Sequence, residues 1–533
     1  MMSTRVDASR SIMGSNIPIS PEPRKTAAWR HCLSRQSVLL TLVLAVPAVT
    51  LRVWQIDALG VNSDEAVYAG QGASLAGDTD LLPYFPVFRA HPLLFQALLS
   101  VPYHFWGVST LVGRLIAAAF GVATVLMIYL IGKLLYGSRA GYVAAMIAAA
   151  MPYLVLVNRQ ILLDGPMTFF ATLSLYLMCR YASDGRHVWL YAAAGTLGLT
   201  FLSKETAILL LGGVYAFLAL TPSIALRVRH LIGATALYFA VISVYPLAVL
   251  LSGARGTGEN FLVWQLLRRA NHSWTFYPTV VPPALGIPVV VAAVAGAWFL
   301  RKQSSWRESL LVWWIMGPVI FFEIWAVKGF QYLLPISAPV AILAARALCA
   351  IPGQTIHLRG RRLPRQALFH SATAVTVAWL LISSVIAIRP AAAGTDFLAG
   401  TGGVPGGREA GQWVNANVPE GAQMLALGPS MANIIQFYGH RKTYGLSVSP
   451  NPLHRNPVYE PVYNPDLQIR HNNLQYIVWD SFSAARSPFF AENLMTYVER
   501  YNGQAVHTET VEARSADGSS VRESVIVIYR VRP

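Results

Sequence analysis

Residues Leu111–Gly132 read LVGRLIAAAFGVATVLMIYLIG, an apolar run interrupted by a single charge, Arg114. At 1.5 Å of rise per residue, a helix of this length matches the roughly 30 Å hydrocarbon core of a bilayer. Working outward, similar runs recur at 140–157, 164–181, 188–203, 205–221, 231–251, 283–300, 308–326, 329–349 and 369–389, and an earlier one covers 37–54. That gives eleven expected spans. The composition agrees: of 533 residues, 54% are hydrophobic and 12% charged. A soluble domain carries about a quarter charged residues. A soluble enzyme, a disordered chain and a nucleic-acid-binding domain are therefore excluded as the whole protein. The expected fold class is a mainly α polytopic membrane protein of about 11 transmembrane helices.

The distribution of charge sets an expected orientation. The net charge is +16. With the N-terminus inside, the cytoplasmic segments are 1–36, 133–139, 180–187, 222–230, 301–308 and 346–366. They hold twenty Lys or Arg against Asp7, Glu22, Asp184 and Glu308. The cluster Arg359, Arg361, Arg362 and Arg365 is the strongest anchor. Basic residues collect in short cytoplasmic loops, so this orientation is the expected one. Residues 1–36 then form a cytoplasmic tail, and the run at 37–54 an uncleaved anchor. The cysteines, Cys32, Cys179 and Cys349, include no CxxC and fall on or near the cytoplasmic side. Neither a disulfide framework nor a zinc site is expected.

Two regions break the apolar pattern. Residues 55–110 form a first outer loop with an amphipathic stretch, Pro92–Trp106, that suits an interfacial helix. After a Gly-rich stretch at 394–407, residues 408–533 carry eleven acidic and eleven basic residues, a soluble composition. The expected domains are a tail (1–36), a transmembrane catalytic domain (37–390) and a small extracytoplasmic α/β domain (391–533). In the last, helices are expected near Arg408–Val418 and Ala491–Tyr501. Strands are expected near Gln423–Leu427, Tyr476–Trp479 and Val525–Val531.

Ionisable residues near membrane depth are candidates for function. The expected topology places Asp64, Glu65, Arg89 and His91 in the first outer loop. Arg159 and Asp164 flank the next outer turn, Lys204 and Glu205 occupy a third, and Lys328 lies in a later one with Glu323 a helical turn inward. Each has a plainer role open to it. Asp64 and Glu65 suit the cap of a helix through Ala66–Ala76. Arg159 and Asp164 suit a structural ion pair, and Lys204-Glu205 suits a marker of the membrane surface.

Taken together, these residues resemble the C-type (GT-C) glycosyltransferases, integral-membrane enzymes that use polyprenyl-phosphate sugars. The resemblance is to the group of protein O-mannosyltransferases and lipid A aminoarabinose transferases. It rests on Asp64-Glu65-Ala66-Val67-Tyr68-Ala69, on His91-Pro92-Leu93, and on the Arg-led span from Gly113-Arg114-Leu115 to Leu135-Tyr136-Gly137. It continues through Arg159 and Asp164 followed by Phe169-Phe170, then Leu202-Ser203-Lys204-Glu205, and Gln331-Tyr332-Leu333-Leu334-Pro335. Two departures stand out. One proline is missing after His91, and Gln331 replaces an arginine, a contact for which Lys328 can substitute.

The resemblance implies transfer of a hexosyl or pentosyl unit from a polyprenyl-phosphate donor to a hydroxyl of an envelope glycan, lipid or protein, with inversion, on the outer face of the cell membrane. It implies Asp64 as general base. It implies His91, Lys204, Arg159 and Lys328 as cations for the departing phosphate. Arg89, Glu205 and Tyr332 complete the expected substrate-binding set. Glu65 and Asp164 orient these groups or help bind a divalent metal cation. No nucleic-acid partner is expected. The alternative is a lipid-linked glycan flippase, which should carry its polar residues at the bilayer midplane or in broken helices of paired halves. Here they gather at the outer ends.

Overall fold

A computed structural model describes residues 35–57, 60–224, 226–253, 261, 263–265, 267–303, 305–351, 357–358, 361–362, 365–389, 402–514 and 520–533. Residues 1–34 of the expected tail and most of the Gly-rich stretch lie outside the described residues, as does Arg359, while Arg35 and Gln36 open the first helix. The chain is mainly helical up to Ala387, and a mixed sheet with its own helices follows.

Every expected span falls on a helical segment. Among the described residues, four helices are long and apolar enough to cross a membrane unaided: Thr110–Tyr136, Val228–Ser252, Phe330–Ala350 and Gln366–Ala387. A pair bent by 95°, Phe276–Leu285 and Ile287–Phe299, makes a fifth crossing if counted as one. The remaining runs are shorter or interrupted. The stretch expected as one span at 140–157 breaks at Pro152, which opens a new six-residue helix because proline cannot donate to the preceding turn.

Helix α1 covers Arg35–Val53, α2 Ser63–Ala76, α3 Leu94–Trp106, α4 Thr110–Tyr136 and α5 Ser138–Ala150. Small residues set the closest packing. Gly132 of α4 lies against Gly141 of α5, where an added Cβ would sit 2.8 Å from the opposing Cα. Such glycines let two membrane helices touch backbone to backbone. Helix α3 lies within the stretch expected as an interfacial helix; it buries Phe95, Gln96, Leu99 and Tyr103 and leaves the apolar Val101, Phe105 and Trp106 exposed.

The C-terminal sheet has five strands in the order Thr443–Gly445, Met424–Ala426, Tyr476–Asp480, Ser520–Arg530, Gln504–Arg514. The first three are mutually parallel, and the last two add antiparallel. Successive side chains alternate between faces. Leu425 and Ile477 join a core with Ile469 and Leu494. Met424, Ala426 and Val478 face the other way, into the core that continues into the helical part.

The described residues from Leu44 onward pack as one compact unit. The sheet domain is docked by specific contacts to the segment that runs from the end of α1 to the start of α4. Val61 and Val404 form an antiparallel bridge, Asn62 donates to the Gly402 carbonyl at 2.9 Å, and Asn433 donates to the Ser63 hydroxyl at 3.0 Å. Arg408 meets Asp57 at 3.0 Å, and Tyr438 donates to Thr110 at 3.1 Å. Gly60 and Gly403 make the approach possible, since a Cβ on Gly60 would lie 2.5 Å from the Val404 oxygen.

Candidate active site

Where the turns of the helical part meet the sheet domain they form a cavity of about 610 Å³. Asp64, Arg89, His91, Lys204, Lys328 and Tyr332 all line it, so six of the ten expected site residues converge from four separate segments.

Asp64 and Glu65 are neighbours with opposite fates. Helix α2 is capped by Asn62, whose side chain accepts from the Asp64 amide at 2.8 Å. Glu65 reaches back to the Asn62 amide at 2.9 Å and completes a capping box. Its carboxylate also takes two hydrogen bonds from Arg114, at 2.8 and 2.7 Å, and one from the Ile161 amide at 3.0 Å. Glu65 is fully buried, its carboxylate is held by protein groups, and it does not line the cavity. The Asp64 carboxylate has no hydrogen-bond or ion-pair partner among the described residues and faces the cavity, partly exposed. Helix capping therefore does not account for it.

The cations are held by second residues. Lys204 follows the helix His187–Ser203, and its Nζ contacts both oxygens of Asp164 at 2.8 and 2.9 Å. Burial disfavours its charge, but Asp164 more than offsets this and holds the ammonium above the usual lysine range. It also lies 4.8 Å from the centre of the Tyr332 ring. The His91 Nδ1 donates to Glu205 at 2.9 Å, which fixes the ring and leaves Nε2 free. Lys328 donates to the carbonyls of Phe322 and Glu323 at 3.0 and 2.6 Å, and its Nζ is 3.9 Å from the Glu323 carboxylate. Arg89 is 7% exposed, bonds the Val458 carbonyl at 3.3 Å and lies over Tyr459. Burial pushes its pKa below the usual arginine range.

Arg159 is not where its pattern suggested. Its guanidinium binds the carbonyls of Leu51, Trp54 and Gln55, tying down the end of α1, and it does not line the cavity. Asp164 pairs with Lys204 instead of with Arg159. Glu65 and Asp164 do not fit a divalent metal, because their oxygens are already held by Arg114 and Lys204. Among the described residues no three His, Cys, Asp or Glu side chains cluster as metal ligands.

Sequence reasoning missed Arg268, which lines the cavity and stacks on Trp264 at 4.7 Å with no carboxylate partner among the described residues. The pair Arg268-Arg269 in an expected outer segment runs against the positive-inside pattern, and that signal could have found it. It also missed the sheet domain's share of the wall, from Gly428–Ser430, Ser447, Tyr459, Phe482, Ser483 and Arg486.

The family of dolichyl-phosphate-mannose-protein mannosyltransferases matches residues 90–249. A putative mannosyltransferase, YkcB, of Bacillus subtilis is 31% identical over 135 residues, which is 25% of this chain and 19% of that protein. An undecaprenyl phosphate-alpha-4-amino-4-deoxy-L-arabinose arabinosyl transferase of Pseudomonas fluorescens is 25% identical over 342 residues, 60% of each chain. The chain thus spans less than two thirds of the length of either relative. The crystal structure of ArnT from Cupriavidus metallidurans bound to undecaprenyl phosphate superposes with a TM-score of 0.65 at 14% identity, covering 92% of this chain and 98% of that one. The fold is that of ArnT, and the chain resembles the mannosyltransferase and aminoarabinose transferase group of C-type glycosyltransferases.

Proposed function

We propose that the protein transfers a sugar from a polyprenyl-phosphate donor to a hydroxyl group of a cell-envelope acceptor. The observation that carries this reading is the lone carboxylate of Asp64 in a cavity otherwise lined by His91, Lys204, Arg268 and Lys328. The acceptor oxygen attacks the anomeric carbon and its proton passes to Asp64. The bond from that carbon to the phosphate oxygen breaks, and the polyprenyl phosphate leaves. A single displacement inverts the anomeric centre.

The negative charge that develops on the leaving phosphate falls to the cations. His91 is oriented by Glu205 with Nε2 left unbonded, Lys204 is kept charged by Asp164, and Arg268 has no competing carboxylate among the described residues. Such groups stabilise a transition state because they are oriented before charge develops. Glu205 and Asp164 act as positioning residues. No step requires a metal.

The proposed setting is a protein crossing the membrane eleven times, with the N-terminus inside and the sheet domain outside. The charge asymmetry of the loops supports this orientation. The test compares envelope glycans, lipids and proteins by mass spectrometry between a deletion strain and the same strain carrying wild type or Asp64→Asn. A sugar unit lost on deletion should return with wild type and not with the variant. Identical envelopes in the wild-type and deletion strains would reject transferase activity.

A further inference from the structure

A second cavity, of about 380 Å³, lies beside the first. The two share a partition made of Arg89, Pro429, Val458 and Tyr459, which line both. Each volume lies within the range of roughly 300–1,000 Å³ typical of ligand sites. Their linings differ in kind. The first carries the unpaired Asp64 and the cations. The second is walled by aromatic rings, including Tyr84, Tyr444 and Tyr459, and by the amide of Gln436. Its charged pair, Lys442 and Glu460, neutralise each other at 2.6 Å.

Gln436 decides what this space is for. It is 8% exposed, on the helix Pro429–Gly439, and its amide has no hydrogen-bond partner among the described residues. The part of it that stays accessible is the amide, which opens to the cavity and not to a protein partner. Here it lines the cavity, able to donate and accept at once. The hydroxyl of Tyr444 is likewise without a partner among the described residues. Rings offer flat apolar faces, and amides and phenols offer paired donors and acceptors. A sugar ring presents apolar C–H faces and hydroxyls that both donate and accept. The combination suits a saccharide and does not suit an acyl chain, which would leave Gln436 unsatisfied.

We infer that this second cavity is an acceptor subsite for a sugar unit next to the one that bears the reacting hydroxyl. The acceptor is then a glycan or glycoconjugate that runs from the second cavity past Arg89 to Asp64. This rests on the transferase reading proposed above.

The test uses membranes from a deletion strain expressing each variant, with their own lipid-linked donor. The acceptor is the envelope glycan fraction of the deletion strain, which holds the unmodified acceptor, titrated to obtain KM and kcat. Gln436→Ala and Tyr444→Ala should each raise the acceptor KM about fivefold to tenfold, the scale of one lost contact, and leave kcat within about twofold. Tyr444→Phe keeps the ring and should fall between Tyr444→Ala and wild type. Should the alanine variants fail to fold, a second measurement needs no variant: acceptor trimmed enzymatically to its reacting sugar unit should show a similarly raised KM with wild-type protein. An unchanged KM in folded variants, full use of trimmed acceptor, or an acceptor without glycan would overturn the subsite. Envelopes identical in the wild-type and deletion strains would instead overturn the transferase reading, so the two failures are distinguishable.

Discussion

The neighbouring carboxylates Asp64 and Glu65 should separate activity from stability. Asp64→Asn keeps the shape of the side chain, and no structural hydrogen bond to that side chain is lost, because Asn62 and Glu65 form the cap. Folding should be unaffected. Transfer should fall by roughly 10²–10⁴, the usual cost of a lost general base. Glu65→Gln does the reverse. It removes the buried charge that neutralises Arg114, which is itself fully buried, and leaves that guanidinium to the partly exposed Asp57. Breaking one side of a buried pair costs about 3–5 kcal/mol. The assay is a thermal melt of purified protein in detergent, read from tryptophan fluorescence, beside a transfer measurement in membranes. Asp64→Asn should melt with wild type and fail to transfer. Glu65→Gln should melt well below wild type, and its remaining folded fraction should transfer. An Asp64→Asn protein with more than about a tenth of wild-type turnover would rule Asp64 out as the base on this rate scale. A Glu65→Gln protein that melts normally but is inactive would show that the two roles had been assigned the wrong way round.

The other predictions concern the cations, the topology and the sheet domain. His91→Ala and Lys204→Ala should each lower turnover about tenfold to a hundredfold, the scale of a charge-assisted contact to phosphate, and normal rates in both would make them surface groups. Arg159→Ala should lower the melting temperature and spare the acceptor and donor KM, since its three bonds are to carbonyls near the end of α1. A cysteine at the exposed position Leu453 should react with an impermeant maleimide in intact cells, or in spheroplasts where an outer membrane is present; labelling only after lysis would put the sheet domain inside. Asp480 is fully buried, and burial raises its pKa from 3.8 to about 6 although it accepts from Ser483. A raised acid favours the folded state below its unfolded pKa, and that advantage is lost as pH rises from about 4 through 6, a swing of about 3 kcal/mol. Asp480→Asn, which still caps the following helix, should therefore nearly match wild type in melts at about pH 3.5 and exceed it at about pH 7.5. Parallel pH profiles for the two proteins would refute that origin.

What could be read from the sequence follows from which forces are local. Hydrophobic runs are local, and each of the eleven falls on a helical segment; where a run breaks, as at Pro152, the cause is a residue visible in the sequence. In the sheet domain the helix expected at Arg408–Val418 is Gly407–Asn417, and the strand expected at Tyr476–Trp479 is Tyr476–Asp480. The edge strand Thr443–Gly445 escaped because three residues carry too little pattern, and Gln504–Arg514 because its polar alternation lacks a clear buried face. Asp64, His91 and Lys204 were legible because an ionisable residue in a very short turn between apolar runs needs a reason to be there.

Partner choice is not local, and it is where the sequence misled. Arg159 and Asp164 are five residues apart and of opposite sign, yet one binds three carbonyls and the other a lysine forty residues on. The Asp64-Glu65 pair shows why spacing cannot decide such cases. Adjacent helical residues point about 100° apart. With Glu65 turned back to its cap and to Arg114, Asp64 is left on the side that meets the cavity. Which of the two carboxylates is freed depends on Arg114, which sits on a different helix and lies forty-nine residues away in sequence. The fully bonded carboxylate anchors the loop that carries α2, and it is the one without a partner that remains available to take a proton.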